Sequence, residues 1–219
     1  MADSPDARTA ILDAAEALFA RQGFSATTIK AIGRTAGVNP ALLYYYFPNK
    51  GRLYHAVLER RLGDGSRELV TQLSPDLTPT DALGRFLRGY ARLMHSAPNL
   101  PRLLARELAD HEAAHALPLI REVAAGLFKR ICALIKAGQA AGTIRADLDP
   151  RFGAVSSVSQ MAWFFVAQPA VSRLLGYEGR VPEPVVERYV EHAVRFALAG
   201  LAPRASETAA VPRRKRAAR

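Results

Sequence analysis

The chain is poor in cysteine, in long apolar runs and in strand-like patterning, and each scarcity removes a class of protein. One cysteine, Cys132, leaves no partner for an internal disulfide. It lies between Ile131 and Ala133 in a helical stretch, where a small buried apolar side chain is the plain reading and a redox-sensing thiol the alternative. The longest apolar run covers only 161–167, far short of a membrane span, and no charged-then-apolar leader opens the chain. A soluble, cytoplasmic protein with no membrane partner is the expectation. Strand-like alternation and internal repeats are missing, and no glycine-rich phosphate loop follows a strand. What remains is an all-α chain of about nine helices.

The 219 residues, 49% of them hydrophobic, suffice for one small and one medium core, hence two unequal domains. The formal charge of +10 invites a nucleic-acid reading, but its distribution matters more than its size. Residues 1–50 hold five basic and four acidic side chains, whereas 204–219 hold six basic and one acidic. Half of the excess therefore sits in an Ala-, Pro- and Arg-rich tail expected to be disordered. Such a tail either adds salt-sensitive, sequence-independent phosphate attraction or is a solvated terminus with no task.

One stretch, ATTIKAIGRTAGVNPALLYYYFPNK over 26–50, carries the functional signal. Thr27 and Thr28 are placed to cap a short helix whose Ile29, Ile32 and Ala36 recur at helical spacing. Gly37 breaks it. Asn39 is a natural N-cap and Pro40 suits the first helical position, so a second short helix covers about 40–47. Two helices joined by a short turn containing Gly form a helix-turn-helix, which delivers its second helix to the DNA major groove. Gly33 is expected where the helices pass close and only a small side chain fits. Ile32, Val38, Leu43 and Tyr46 supply the seam, and Pro40, Ala41, Tyr44 and Tyr45 face outward. Upstream, 6–22 reads as a first helix with Ile11, Ala15, Leu18 and Phe19 on one stripe. Gly23 ends it, and Phe24 packs back to complete a three-helix domain.

The run AGVNPALLYYYFPNK resembles the signature of the TetR family of bacterial transcriptional regulators: Ala-Gly-Val-Ser, three variable residues, Leu-Tyr-x-Tyr-Phe, a short break and Lys. The likeness covers 36–50 and extends back to Thr28 and forward to Leu53, the N-terminal quarter of the chain. It implies a homodimer on double-stranded operator DNA, most often a repressor released by a small-molecule effector, with no enzymatic activity and no cofactor. Tyr44 and Tyr45 have hydroxyls able to reach phosphate oxygens, Lys50 adds a charge-assisted contact, and Thr28 is placed for another phosphate. Lys30 suits a base or a phosphate. The family's base-reading positions fall on Pro40, Ala41 and Leu42; Leu42 stands where many members carry a polar residue, which points to thymine-methyl contact. Gly51 departs from an acidic residue common at its place.

A fourth helix runs from residue 50 toward 69 with Leu53, Val57, Leu58 and Leu62 on one side, and Gly63 and Gly65 are candidate ends or bends. In the resembling family this helix joins the domains and transmits the effector signal. After a loop, SPDLTPTD, further helices are expected over 81–95, 100–110, 117–141, 150–175 and 184–201. The division is then a DNA-binding domain over 1–50, an effector-binding and dimerisation domain over 51–203, and the basic tail over 204–219. Family likeness assigns dimerisation to the last two long helices. Their apolar stripes are Val155, Val158, Met161, Ala162 and Phe165, and Val186, Tyr189, Val190, Ala193, Val194, Ala197 and Leu201. Ordinary core is the other reading of both.

One enzyme motif competes. His111-Glu112-Ala113-Ala114-His115 fits H-E-x-x-H, two zinc-binding histidines one turn apart with a general-base glutamate. Pro118 disfavours helix just beyond it, and no third ligand follows at the spacing of the extended motif. A zinc hydrolase, or a regulator controlled by metal or by a protein partner, are the alternatives. No metal ligand is assigned. Met94, Leu104, Phe128, Ile131, Met161, Trp163 and Phe164 are candidate walls of an effector cavity, with Arg106 or Glu107 as polar anchors, but each is equally a core position and no ligand-binding residue is assigned.

Overall fold

The computed structural model describes residues 5–71, 76–111 and 117–204. These form ten α-helices and no strand: α1 (Pro5–Ala26), α2 (Ile29–Ala36), α3 (Pro40–Tyr46), α4 (Lys50–Thr71), α5 (Pro79–Ser96), α6 (Leu100–His111), α7 (Leu117–Ala140), α8 (Pro150–Val166), α9 (Gln168–Leu174) and α10 (Glu183–Leu201). The extra helix comes from dividing 150–175 at Ala167, where the backbone leaves the helical region (φ −91°, ψ 17°) just ahead of Pro169. Proline has no N–H to give a carbonyl one turn earlier, so one long helix becomes two. The basic tail over 205–219 lies outside the described residues.

Two cores organise the helices. The first gathers Ile11, Leu18 and Phe19 of α1, Ile32 of α2 and Leu43 of α3. It continues into Leu53, Val57 and Leu58 of α4 and Leu103 of α6, all fully buried. Packing therefore does not stop at residue 50, because the first turns of α4 close the bottom of the three-helix unit. The second core joins α5, α7, α8 and α10 through Leu83, Leu87, Ile135, Met161, Phe164 and Val194. Leu62 of α4 packs against both.

Glycine decides geometry at two places. Gly23 (φ 79°, ψ 172°) interrupts α1, and Thr27 Oγ1 donates to its carbonyl at 2.7 Å, fixing the change of direction into α2. Gly65 does not end α4, which runs on to Thr71, contrary to the expectation from its helix-weakening propensity. A β-carbon there would stand 2.5 Å from a δ-carbon of Leu93, so its bareness lets α5 lie against α4.

The stripe expected to pair subunits through α10 is instead core within one subunit. Val186, Ala193, Val194, Ala197 and Leu201 are buried, as are Met161 and Phe165 of α8. Val155 is the exception, half exposed beside exposed Phe152 and Trp163 on α8 and Phe196 on α10. Each helix thus has two apolar faces, and periodicity finds the fuller one, which the chain itself covers.

Helix α8 opens on Asp149, whose Oδ1 accepts from Arg151 N at 2.8 Å while the Arg151 guanidinium binds the same carboxylate at 2.6 Å. The guanidinium bond, supported by the backbone donor, holds the Asp149 carboxyl down to about 2. A carboxyl depressed on folding contributes stability above its unfolded value and loses it as pH falls through the folded one. Asp149→Asn keeps a capping side chain without the charge. The melting temperature of wild type should exceed that of the variant above about pH 4 and converge with it toward pH 2; a difference independent of pH would show that the charge contributes nothing.

Candidate DNA interface

Three capped helix starts set the geometry of 27–52. Thr28 (φ −108°, ψ 150°) accepts from Ala31 N at 3.1 Å, Asn39 Oδ1 from Leu42 N at 2.8 Å, and Asn49 Oδ1 from Arg52 N at 2.9 Å. Of the two threonines proposed as caps, only Thr28 serves; Thr27 is buried and bonded to Gly23. Asn49 escaped sequence reading as a cap, although an Asn directly before a helical run is a cap signal. Between α2 and α3, Gly37 takes the left-handed conformation (φ 69°, ψ 25°) and Val38 N returns to Gly33 O at 2.9 Å. The close approach at Gly33 is real, but it is to the turn: a β-carbon there would meet Val38 O at 3.1 Å.

Around this frame the side chains divide as their chemistry requires. Ile32 and Leu43 are fully buried, and Val38 and Tyr46 are partly buried against the same core. Thr28, Lys30, Pro40 and Ala41 are exposed, and Leu42 is half-buried. Tyr44 and Tyr45 are 51% and 72% exposed, far beyond what a folding role would leave in water. Thr28, Lys30, Pro40 and Arg34 line a groove of about 470 Å³ between the two helices. Arg34 was not among the predicted contacts; its place one helical turn after Lys30 was the available signal.

Lys50 is not free at this surface. Its Nζ donates to the carbonyls of Phe24, Ser25 and Thr27 at 2.9, 3.4 and 3.1 Å and stands 4.4 Å from the centre of the Phe24 ring. All three of its donors close the junction between α1 and α2, so a phosphate contact would require it to leave that clamp. Position at a helix start gave no hint of carbonyls folded back from 23 residues earlier.

The unit is fastened to the rest of the chain by polar bonds from α4 and α6. Glu16, only 2% exposed, receives Arg60 Nη2 at 2.8 Å, Arg61 Nε at 2.7 Å and Asn99 Nδ2 at 3.3 Å. Arg106 donates to the carbonyls of Ala20 and Arg21 at 3.2 and 2.8 Å, and Tyr54 Oη donates to buried Glu107 at 2.8 Å. Arg106 and Glu107, the candidate polar anchors, take part in this fastening. Of the other candidate cavity walls, Met94, Ile131, Met161 and Phe164 are core, Leu104 is half-buried, and Phe128 and Trp163 face outward. His111 ends α6, and the remainder of the HEAAH segment lies outside the described residues. Among the described residues no three His, Cys, Asp or Glu side chains gather to hold a metal, and no helix is long and apolar enough to cross a membrane.

Comparison with known proteins decides the assignment. Residues 11–57 match the model of bacterial regulatory proteins of the tetR family, and 79–196 match the tetracycline repressor-like C-terminal domain. The chain belongs to the TetR family. It is 32% identical over 178 residues to the HTH-type transcriptional repressor SCO4008 of Streptomyces coelicolor, covering 80% of this chain and 86% of that one. Identity to the HTH-type transcriptional regulator RutR of Escherichia coli is 29% over 204 residues, covering 90% and 91%. In fold it is similar to the SmeT–triclosan complex, with a TM-score of 0.67 at 20% identity over 90% of this chain and 91% of that one. This TetR-family chain is thus a helix-turn-helix transcriptional regulator and not an enzyme, and the hydrolase reading of HEAAH finds no support.

The Lys50 clamp has a measurable worth. Lys50→Met keeps the aliphatic stem and removes the donors, leaving three carbonyls at the α1–α2 junction without their cation. Stability in urea should fall by about 1–2 kcal/mol, and an unchanged unfolding midpoint would mean that these bonds contribute nothing.

Proposed function

We propose that the protein acts as a homodimeric repressor in the cytoplasm, where a small molecule releases it from its operator. Exposure of Tyr44 and Tyr45, together with that of Thr28 and Lys30, carries the reading, because folding does not explain two adjacent aromatic side chains held in water on the outer face of α3. In this reading α3 enters the major groove, Pro40, Ala41 and Leu42 meet base edges, and Tyr44, Tyr45, Thr28 and Lys30 fix the register on phosphates. Lys50 serves first as the clamp that holds α1 against α2. The segment 51–203 supplies the effector response and the partner subunit, and the basic tail over 204–219 adds non-specific attraction.

The apolar face left uncovered supports dimerisation. Phe152, Val155 and Trp163 recur along α8 at helical spacing, and Phe196 stands 67% exposed on α10. A second copy of the same face is the occupant that a two-fold regulator requires, since one short recognition helix reads too few base pairs. Substituting both Trp163→Glu and Phe196→Glu should give a folded monomer by sedimentation that has lost operator binding; a dimer that persists would place the interface elsewhere.

The ligand response is supported by family membership and by the fastening at α6. A ligand that favours the wrong spacing of the two DNA-reading units by a few kcal/mol suffices to release the operator. Titration into DNA from upstream of its own gene, against excess unrelated DNA, tests the whole reading. Saturable binding at two subunits per site should survive the competitor. Tyr44→Phe should weaken it about tenfold for every sequence tried, and Lys30→Ala should lower the salt dependence by about one ion. Binding that the competitor abolishes would sink the sequence-specific reading.

A further inference from the structure

Helices α5 and α10 lie antiparallel, as their charged pairs reveal. Arg88 binds both oxygens of Glu191 at 2.7 and 2.8 Å, and about two turns further along α5 His95 Nε2 stands 3.6 Å from Glu183. Between these two pairs the helices enclose a groove of about 450 Å³, within the range of small-molecule sites. Its floor is apolar, made by buried Ala91 and Val186 and half-buried Val190. Its walls are of opposite sign: Arg92 on the α5 side and Glu187 on the α10 side, both exposed, and among the described residues neither makes an ion pair or hydrogen bond.

We infer that this groove binds a small zwitterion with an apolar body, of amino-acid to dipeptide size. An ammonium group fits between Glu183 and Glu187, a carboxylate fits Arg92, and the apolar portion covers Ala91, Val186 and Val190. The two end pairs fix the length of the site, so a ligand of a single charge leaves one wall unanswered. The groove stays open in a dimer formed as proposed above. Phe196 is nine residues beyond Glu187, which at 100° per residue puts it on the opposite side of α10.

The same stretch of α5 packs on α4, the helix that carries the DNA-reading unit, and leads into a turn that is bonded to α1. Leu93, next to Arg92, is the side chain seated on Gly65 of α4. Asn99, in the turn that follows α5, donates to buried Glu16 of α1. Drawing Arg92 and Glu187 toward a common ligand therefore bears on both contacts. This consequence, unlike the binding itself, rests on the reading that a ligand releases the operator.

The test is thermal unfolding of the full chain, without DNA, in 10 mM L-leucine, L-phenylalanine or the dipeptide Leu-Leu. The two halves of leucine, 4-methylpentanoate and 3-methylbutylamine, serve as single-charge controls. At least one zwitterion should raise the melting temperature by about 3 °C and neither half should do so. Arg92→Gln and Glu187→Gln should each weaken that binding at least about tenfold while hardly moving the melting temperature of the free protein, because both side chains are exposed. Absence of a shift with all three zwitterions, equal shifts from a half-molecule, or binding that survives both substitutions would overturn the site. A zwitterion that binds without weakening operator binding would overturn the coupling alone, and failure of the free protein to bind any operator would count against the regulator reading instead.

Discussion

A carboxylate out of water with too few partners is costly, and that constraint orders this molecule around Glu16. The side chain sits at the rim of the first core on α1, where α4 brings it Arg60 and Arg61 and the turn before α6 brings it Asn99. Asp13, 2.8 Å from Arg60, balances the second guanidinium, so two acids face two bases. Such a set has one good geometry. Fixing it fixes the angle at which α1, and with it α2 and α3, leaves the body of the chain. Arg106 on the carbonyls that end α1 and Tyr54 on Glu107 then hold α6 in the same frame. Leu103 adds its side chain to the DNA-reading core, which makes α6 as much a part of that unit as α4 is.

Local physics made the recognition element legible in the sequence. Thr28, Asn39, Pro40 and Gly37 each act on the backbone within three or four residues, and a reader of the chain has all the partners in view. The same holds for Ile32 and Leu43, whose periodicity names the buried face. What escaped involves partners distant in sequence. Lys50 could be placed at a helix start, but its carbonyl partners come from the α1–α2 junction. Glu16 lies off the apolar stripe of the first helix, and its arginines arrive more than forty residues later. Gly65 was read through propensity as a weak point, whereas the deciding term is the room it leaves for Leu93 across an interface.

The two-faced helices show a different limit. Helix α10 is apolar at Val186, Ala193, Val194, Ala197 and Leu201, and that stripe is used up by α5 and α8 of the same subunit. Phe196 is a single large residue on the far side and registers weakly in any periodic count. It becomes informative only once the fold leaves it uncovered together with Trp163 and Phe152. Sequence pattern thus finds the faces that fold a subunit before those that pair it, because folding needs the larger apolar area.

These constraints bear on how an effector signal would travel. The Glu16 set is too tightly paired to serve as a breakable latch: losing one partner strands a buried charge, a cost of several kcal/mol that a weak ligand cannot meet. Release must then proceed with the set intact, by movement of what holds it. Helix α5 is suited to that part, since its contact with α4 includes a leucine seated on a bare glycine, an apolar approach that permits sliding. Its far side faces α10, where one strong ion pair and one longer pair leave charged side chains unanswered. Stiff fastening near the DNA and an adjustable seam far from it are what a two-state regulator needs, because small shifts at the seam are then carried as rotation of the whole reading unit rather than lost in its deformation.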